Sequence, residues 1–488
     1  MTDEATPSEA EVVVVGAGPG GYVAAIRAAQ HGLDTVLVEK EALGGTCLNH
    51  GCIPSKAFID VGESAHDAAN MEDRGVYADV SVAFGELVDW KESVVDQLTS
   101  GVGQLCEANG VTVVEGTAAF VDDGVLEVSP PELTGDSETI EYENAILATG
   151  SRPIQVPGFS YGDEPVLDSR QALALDEQPD RLVVVGAGYI GMELSTAFAK
   201  LGTDVTVVEM LDAPLPGYDD EATELVQGRA EDLGIEFNFG EAASEWYRDI
   251  AGDVVVTAED REAQSASDSA NGDAVSGDES EYRADAVLVA VGREPVTDTL
   301  DLGAVGLEPD ENGFLATDEY GETDAEGVYA VGDVAGEPML AHEASHQGTL
   351  VADHLAGSDT RIDAHAVPAV VFTDPEIATV GLTPGEAGES DREVSVGEMA
   401  FRGNGRALTT GDAEGFVRVV VDDSSGQVVG GEVVGPEASE LIAELGVAVA
   451  AELDVSDLAE TVHAHPTLSE AVMEAAANAE GAAIHTVN

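Results

Sequence analysis

The chain begins its regular pattern with an apolar run, EVVVVG from Glu11 to Gly16. A glycine-rich turn follows, then a stretch with helical spacing, then a second apolar run, TVLVEK, ending at Lys40. The same order returns in LVVVGAGYIGMELSTAFAKLGTDVTVVEM, Leu182 to Met210. Each copy predicts a strand, a tight turn, a helix and a second strand that ends in an acid. From Gly16 to Glu39 is 23 positions, and from Gly186 to Glu209 is again 23. Further strands are expected at AVLVAVG (Ala286–Gly292) and GVYAVGD (Gly327–Asp333). From around Ala364 the strand-like runs FVRVVV and VVGGEVVG mix with the helix pattern ELIAELGVAVAAEL, which reads as an α+β domain. The polar stretch from Ala258 to Tyr282 reads as a solvated, acid- and serine-rich loop. The fold class expected is α/β, with two Rossmann-like dinucleotide-binding domains and a C-terminal α+β domain.

Length and composition agree with several units. At 488 residues the chain is too long for one ordinary core, and its 55 glycines point to many tight turns or close backbone approaches. The charge changes the picture more. Asp and Glu number 96 against 19 Lys and Arg, a formal net charge of −77, and only four residues are lysine. Acid this dense opposes compaction and repels nucleic acid and anionic lipid. Concentrated salt screens it, the Debye length falling to roughly 3 Å at 1 M. Apolar segments persist between the acids, so a folded, soluble protein adapted to a high-salt cytoplasm is expected rather than a disordered one. The start, MTDEATPSEAE, has no apolar core and does not read as a secretory signal, and no apolar run reaches membrane-spanning length. Three cysteines and no export signal suggest a reducing cytosol, where a disulfide is more often catalytic than structural.

The repeat has a chemical reading. Glycines at 16, 18 and 21, and again at 186, 188 and 191, let the backbone approach a pyrophosphate lying at a helix N-terminus. Glu39 and Glu209 fall where an acid accepts hydrogen bonds from a ribose. After Glu209 come Met210, Leu211 and Asp212, with no basic residue to meet a 2′-phosphate, so the second site favours NAD over NADP.

Two of the three cysteines stand five residues apart in GGTCLNHGCIPSK, Gly44 to Lys56. A metal half-site and a pair of buried thiols are alternatives to a redox pair. A metal site needs further ligands, and His50 alone does not complete one. Positions five apart on a regular helix lie roughly 8–9 Å apart by Cα. A disulfide wants about 4.4–6.8 Å. A bridge between Cys47 and Cys52 therefore requires an irregular turn, which Gly51 permits. Cys106 stands alone and reads as core.

The cysteine motif, the double fingerprint and the histidine motif HAHPTLSEAVMEAAANA beginning at His463 resemble the flavin-dependent pyridine nucleotide-disulfide oxidoreductases, and within them the dihydrolipoamide dehydrogenases. The resemblance spans nearly the whole chain apart from the acidic insert. It implies FAD on the first module and a later strand, NAD on the second, a C-terminal dimerisation domain and a homodimer. It implies four regions: 1–157 (first part of the FAD domain), 158–284 (NAD domain, with the insert 258–282), 285–360 (central domain completing the FAD site) and 361–488 (interface). It further implies that Cys47 exchanges with a dithiol substrate, that Cys52 lies against the flavin, and that Lys56 near the flavin ring pairs with Glu193. Asp333 would hydrogen-bond the flavin's sugar-like chain, and the Ala148–Thr149–Gly150 turn would lie near the flavin. His465 would be the base that takes a proton from the substrate thiol of the other subunit, held by Glu470. On the residues alone, Lys56 and Glu193 also read as surface charges, Asp333 as a turn aspartate, and Glu470 as the end of a Thr467-x-x-Glu470 capping box. His463 fits a structural role better, and Gln347, near His342 and His346, stands where many relatives have an acid.

The activity expected is oxidation of dihydrolipoyl groups through a Cys47–Cys52 disulfide and FAD, with hydride transfer to NAD. A lipoyl domain of a 2-oxoacid dehydrogenase or glycine cleavage complex would be the donor, in the cytoplasm, with no nucleic-acid, membrane or metal partner. A mercuric reductase would carry a cysteine pair near the C-terminus, and no cysteine follows Cys106. A glutathione reductase would want basic residues after the second fingerprint. A non-catalytic FAD- and NAD-binding redox sensor is the alternative outside enzymes.

Overall fold

Val12, Val13 and Val14 are wholly buried, as they must be in a strand covered on both faces. In the computed structural model, which describes residues 6–131, 136–162, 165–260, 279–363, 365–389 and 392–488, they lie in the parallel part of the first of two mainly parallel sheets, to which Val125–Ser129 and Thr117–Asp122 add antiparallel. Strand Glu9–Val15 runs parallel to Thr35–Glu39 on one side and to Glu138–Leu147 on the other, and Thr112–Glu115 extends the sheet beyond Thr35–Glu39. Strand Val328–Ala330 adds in parallel to Glu138–Leu147, so the first sheet is completed by a segment far along the chain. Helix Pro19–Gln30 crosses between the first two strands and packs on helix Ala341–Leu355. The two helices approach so closely that a Cβ at Gly348 would overlap the Gly20 carbonyl.

The second sheet repeats this plan. Its parallel order is Glu236–Phe239, Asp204–Glu209, Arg181–Val185, Ala286–Val289 and Val166–Leu167. Ala286–Val289, which the resemblance places in the third region, is a buried interior strand of this second sheet. The stretch expected as a loop from Ala258 to Tyr282 also differs. Strands Val254–Asp260 and Glu279–Ala284 pair antiparallel and carry both ends of it, while 261–278 lie outside the described residues. A two-stranded antiparallel ribbon, Ser151–Pro153 with Arg293–Pro295, links the two modules.

The C-terminal region is the expected α+β unit. Five antiparallel strands run in the order Pro368–Val371, Glu376–Gly381, Val428–Gly435, Phe416–Asp422 and Val394–Ala400. Helices Ala438–Ala450 and Glu470–Ala479 pack on this sheet through a shared apolar core. Among the described residues no helix is long and apolar enough to cross a membrane.

Candidate active site

The two fingerprints fold alike. Gly16 has φ +96° and Gly186 φ +101°, a region that favours glycine. A Cβ at Gly21 would overlap the Gly16 carbonyl, and one at Gly191 would overlap that of Gly186. These glycines are needed for helix, turn and strand to meet. Gly18 and Gly188 are different, because a Cβ there would meet nothing within 4 Å. Their bareness serves no packing within the chain and leaves the helix N-terminus open to a phosphate. At each strand end the acid is fixed by backbone amides. Glu39 Oε2 accepts from Ala17 N at 2.6 Å and Oε1 from Glu41 N at 2.7 Å. Glu209 Oε2 accepts from Ala187 N at 2.6 Å and Oε1 from Leu211 N at 2.7 Å. Carboxylates held in this way keep lone pairs for sugar hydroxyls. Both modules therefore fit a dinucleotide.

The first fingerprint opens into a cavity of about 520 Å3 that also takes in Cys47, Cys52, Lys56, Glu193 and Asp333. The turn after strand Glu138–Leu147 forms part of its wall. Thr149 Oγ1 donates to Val296 O at 2.6 Å, and Gly150 O accepts from Val296 N at 2.9 Å.

The cysteines sit on two helices rather than one. A short helix, Gly45–Asn49, carries Cys47; the chain breaks at His50–Gly51, and helix Cys52–Ala69 begins at Cys52. The irregular turn required at Gly51 is present, and both cysteines line the cavity. Interaction with the neighbouring Cys52, and then burial, push the Cys47 thiol well above its ordinary range. Cys52 is lowered from 9.0 to about 7, first by the interaction with Cys47, then by the Lys56 ammonium, against the opposing effect of burial.

Lys56 follows one turn later, and its Nζ lies 2.7 Å from Glu193 Oε2. Glu193 is buried on the second fingerprint helix, Tyr189–Leu201, and its Oε1 accepts from Phe372 N at 2.9 Å. The Lys56 ammonium stands 4.3 Å from the Phe372 ring centroid. Glu193 is therefore no surface acid. Packing sets this pairing: fully buried Phe58 lies edge-on to Phe84 at 5.7 Å and beside Phe198 at 6.0 Å, clamping the cysteine helix onto the second fingerprint helix. Burying a phenylalanine contributes about 2–3 kcal/mol.

His465 does not line the cavity within its own chain; its side chain is 79% exposed. Its Nδ1 lies 2.9 Å from Glu470 Oε1, which fixes the ring and leaves Nε2 facing outward. Glu470 Oε2 also accepts from Thr467 N at 2.9 Å, so one carboxylate both orients the imidazole and closes half of the capping box. The other half is missing, because Thr467 Oγ1 turns to Ala464 O instead. The Thr467 amide, followed by the His465 ring, holds Glu470 below the usual carboxylate range. His463 is structural, its ring bonded to Glu444 Oε1 at 2.8 Å and Thr461 O at 2.9 Å. His342 Nε2 meets Pro368 O at 2.7 Å, and His346 is exposed. Gln347 Oε1 accepts from Gly332 N at 2.7 Å, and its amide donates to buried Glu343 at 3.1 Å. His50 Nε2 is 4.0 Å from Glu41 Oε2, and Cys106 is buried in the core.

Tyr189, Ser151 and Arg293 also line the cavity, and no role was assigned to them from the sequence. Tyr189 heads the second fingerprint helix and is 42% exposed. Ser151 Oγ donates to Asp333 Oδ2 at 2.5 Å and accepts from Arg293 Nε at 2.8 Å. In a chain with so few cations, an arginine just after a strand run was the available signal.

Fold, paired thiols and two fingerprints define a class, and the chain belongs to the pyridine nucleotide-disulphide oxidoreductases. Residues 10–348 match that family, and residues 367–476 match its dimerisation domain, which supports a homodimer. Family members of this kind use FAD and NAD. The chain is 58% identical over 479 residues to the dihydrolipoyl dehydrogenase of Haloferax volcanii, covering 98% of each. It is 57% identical to that of Halobacterium salinarum (98% of each) and 42% to that of Bacillus subtilis (99% of this chain, 98% of that one). Among solved structures, LpdA from Mycobacterium tuberculosis matches with TM-score 0.86 at 29% identity, covering 96% of this chain and 99% of that one. The HOCl-induced flavoprotein disulfide reductase RclA from Escherichia coli, as its Cu(II) complex, matches at 0.82 and 25%, again with 96% and 99% coverage.

Proposed function

We propose that this chain oxidises a dihydrolipoyl dithiol to the cyclic disulfide and delivers the electron pair to NAD, as a cytoplasmic homodimer. The net change is dithiol plus NAD+ to disulfide plus NADH and a proton. The observation that carries this reading is that Cys47, Cys52 and Lys56, the last placed by buried Glu193, share one cavity with the first fingerprint.

In the oxidised enzyme, Cys47 and Cys52 are bridged. His465 of the partner subunit takes the proton of one substrate thiol and passes it to solvent, as the proton of the net equation; the thiolate attacks Cys47 Sγ, the protein S–S bond breaks, and Cys52 leaves as a thiolate. His465 of the partner subunit takes the proton of the second substrate thiol, which attacks the mixed disulfide and expels Cys47. The imidazolium then gives its proton to the Cys47 sulfur, restoring the arrangement in which Cys47 is the thiol. A free thiol with pKa near 8.5 is mostly protonated at neutral pH, so a base is needed. Glu470 holds the ring with Nε2 outward. Lys56, placed by Glu193, favours negative charge at Cys52. Gly16, Gly18, Gly21, Glu39, Thr149, Gly150 and Asp333 would hold FAD, and Gly186, Gly188, Gly191 and Glu209 would hold NAD. Bound FAD supplies a two-electron acceptor between the thiolate and the nicotinamide.

The donor fitting this chemistry is a lipoyl domain of a 2-oxoacid dehydrogenase or glycine cleavage complex. The net charge of −77 and the relatives from halophilic archaea support a cytoplasm of high salt. Anaerobic addition of dihydrolipoamide to the holoenzyme in concentrated salt tests the reading. Long-wavelength thiolate-to-flavin absorbance should develop, and NADH should follow when NAD is added. Cys47→Ser and Cys52→Ser should each lose turnover by at least about a thousandfold. A wild-type protein that holds flavin yet stays oxidised with dihydrolipoamide ends the proposal.

A further inference from the structure

Asp333 is held by a partner that itself reaches between the two modules. Ser151 lies on one strand of the linking ribbon and Arg293 on the other. The guanidinium donates through Nε to Ser151 Oγ at 2.8 Å and through Nη2 to Ser151 O at 2.7 Å. Ser151 Oγ in turn donates to Asp333 Oδ2 at 2.5 Å. A hydroxyl carries one proton, so the cation on its lone pair fixes which way that proton points, and the chain Arg293–Ser151–Asp333 is polarised from end to end. Ser151 is buried, which shields the relay from competing water. Arg293 also lines the cavity with Tyr189, and its charge acts on the Tyr189 phenol at the head of the second fingerprint helix.

We propose that Arg293 is a positioning residue that sets the orientation of Asp333 through Ser151 and couples the head of the nicotinamide module to the flavin side of the site. This rests on the assignment of Asp333 to FAD made above. Lysine at 293 would keep the charge and lose the fork, because an ammonium cannot bond the hydroxyl and carbonyl of one residue in the same plane. Alanine at 151 would leave both Arg293 and Asp333 without their shared partner.

The test uses the full-length protein, stripped of flavin and titrated with FAD in concentrated salt. Affinity and the visible spectrum of the bound flavin are read, with circular dichroism to check the fold. Ser151→Ala and Arg293→Lys should each weaken FAD binding about tenfold or more, the scale of a lost charge-assisted hydrogen bond, and shift the spectrum. Ser151→Thr, which keeps the hydroxyl, should restore both. Adding Ser151→Ala to Asp333→Asn should cost little further, because the two act as one unit. Arg293→Lys should also raise KM for NAD more than it lowers kcat, whereas Ser151→Ala should leave KM for NAD alone. Wild-type FAD affinity and spectrum in Ser151→Ala or Arg293→Lys would overturn the inference. So would full additivity with Asp333→Asn, or an Asp333→Asn protein that binds FAD normally. If Ser151→Ala does not fold, Arg293→Lys decides the question in its place. A wild-type protein inert toward dihydrolipoamide whose variants still lose FAD as described would remove the proposed function and leave the relay standing.

Discussion

The first and second dinucleotide modules share a backbone geometry down to the bond that ties each strand-end acid to its turn, 2.6 Å in both. What separates them is what the chain places next. After Glu39 the first module runs into the cysteine loop and opens on a cavity walled by both cysteines. After Glu209 the second runs into Met210 and Leu211, with no side chain able to exchange electrons. The fingerprint provides a phosphate seat; the segment that follows decides whether chemistry happens there. The sharpest break of this symmetry is a matched pair of substitutions. A Cβ at Gly21 or at Gly191 overlaps backbone that cannot give way. Gly21→Ala should therefore yield protein without flavin and without turnover. Gly191→Ala should keep its flavin and its reduction by dihydrolipoamide, and lose at least about a hundredfold in kcat/KM for NAD. Flavin content by absorbance and half-reactions by stopped flow separate the two. Equal flavin loss in both would show that the modules do not divide the cofactors in this way.

A smaller effect probes the second module alone. Glu209 is buried and held by two amides, while Met210 beside it is exposed. Glu209→Ala with Met210→Arg removes the ribose acceptor and supplies a cation for a 2′-phosphate. The preference for NAD over NADP should fall by about a hundredfold, the scale of two charged contacts, measured as the ratio of kcat/KM values. An unchanged ratio would place cofactor choice elsewhere.

The same contrast explains what could be read from the sequence. The fingerprints and the cysteine loop were legible because each is local: glycine spacing and a forced break at Gly51 are settled by neighbours in the chain. Glu193 was legible only through the family resemblance, because its burial depends on Phe58 and Phe198 locking two helices distant in sequence. The Ser151–Asp333 bond joins residues 182 positions apart, and no periodicity reports it. Ala286–Val289 reads as a strand, yet its sheet is chosen by pairing with Arg181–Val185. Lysine was an unused signal. Of the four lysines, Lys91 and Lys200 have nearly buried side chains, Lys91 on the Leu173 carbonyl at 2.8 Å and Lys200 on Asp374 at 2.7 Å. A chain this poor in lysine keeps them at junctions.

The cysteine loop supplies a third test. With Cys52 at about 7 against an ordinary 9.0, its thiolate should persist as pH falls from 9 to 7 and be lost below that. Thiolate absorbance of the reduced, flavin-free protein should show this midpoint. Cys47→Ala removes the largest lowering contribution, so the midpoint should move up toward 9.0; Lys56→Met should move it less. A midpoint unmoved by Cys47→Ala would break the assignment of the proton to Cys47.

The smallest effect concerns how the second module is anchored. Arg418, in the C-terminal sheet, bonds Asp219 and Glu221 at the head of the helix after the second fingerprint, and also Glu398 and fully buried Glu432. Four carboxylates face one cation, and Glu432 Oε1 finds no hydrogen-bond partner among the described residues. Burial, then Asp219, push the Glu432 carboxyl from 4.5 to about 7. Between those values the folded chain holds a proton that the unfolded chain releases. Stability therefore falls as pH rises through this window, and the cost is fully present above 7. Glu432→Gln keeps an acceptor for Arg418 and removes the charge. The variant should match the parent at about pH 5 and exceed it by on the order of 2 kcal/mol at about pH 8, less than the full shift because neighbouring carboxylates relax. Urea midpoints in concentrated salt at the two pH values measure this. A gain independent of pH would mean that packing, not the proton on Glu432, sets the cost of this junction.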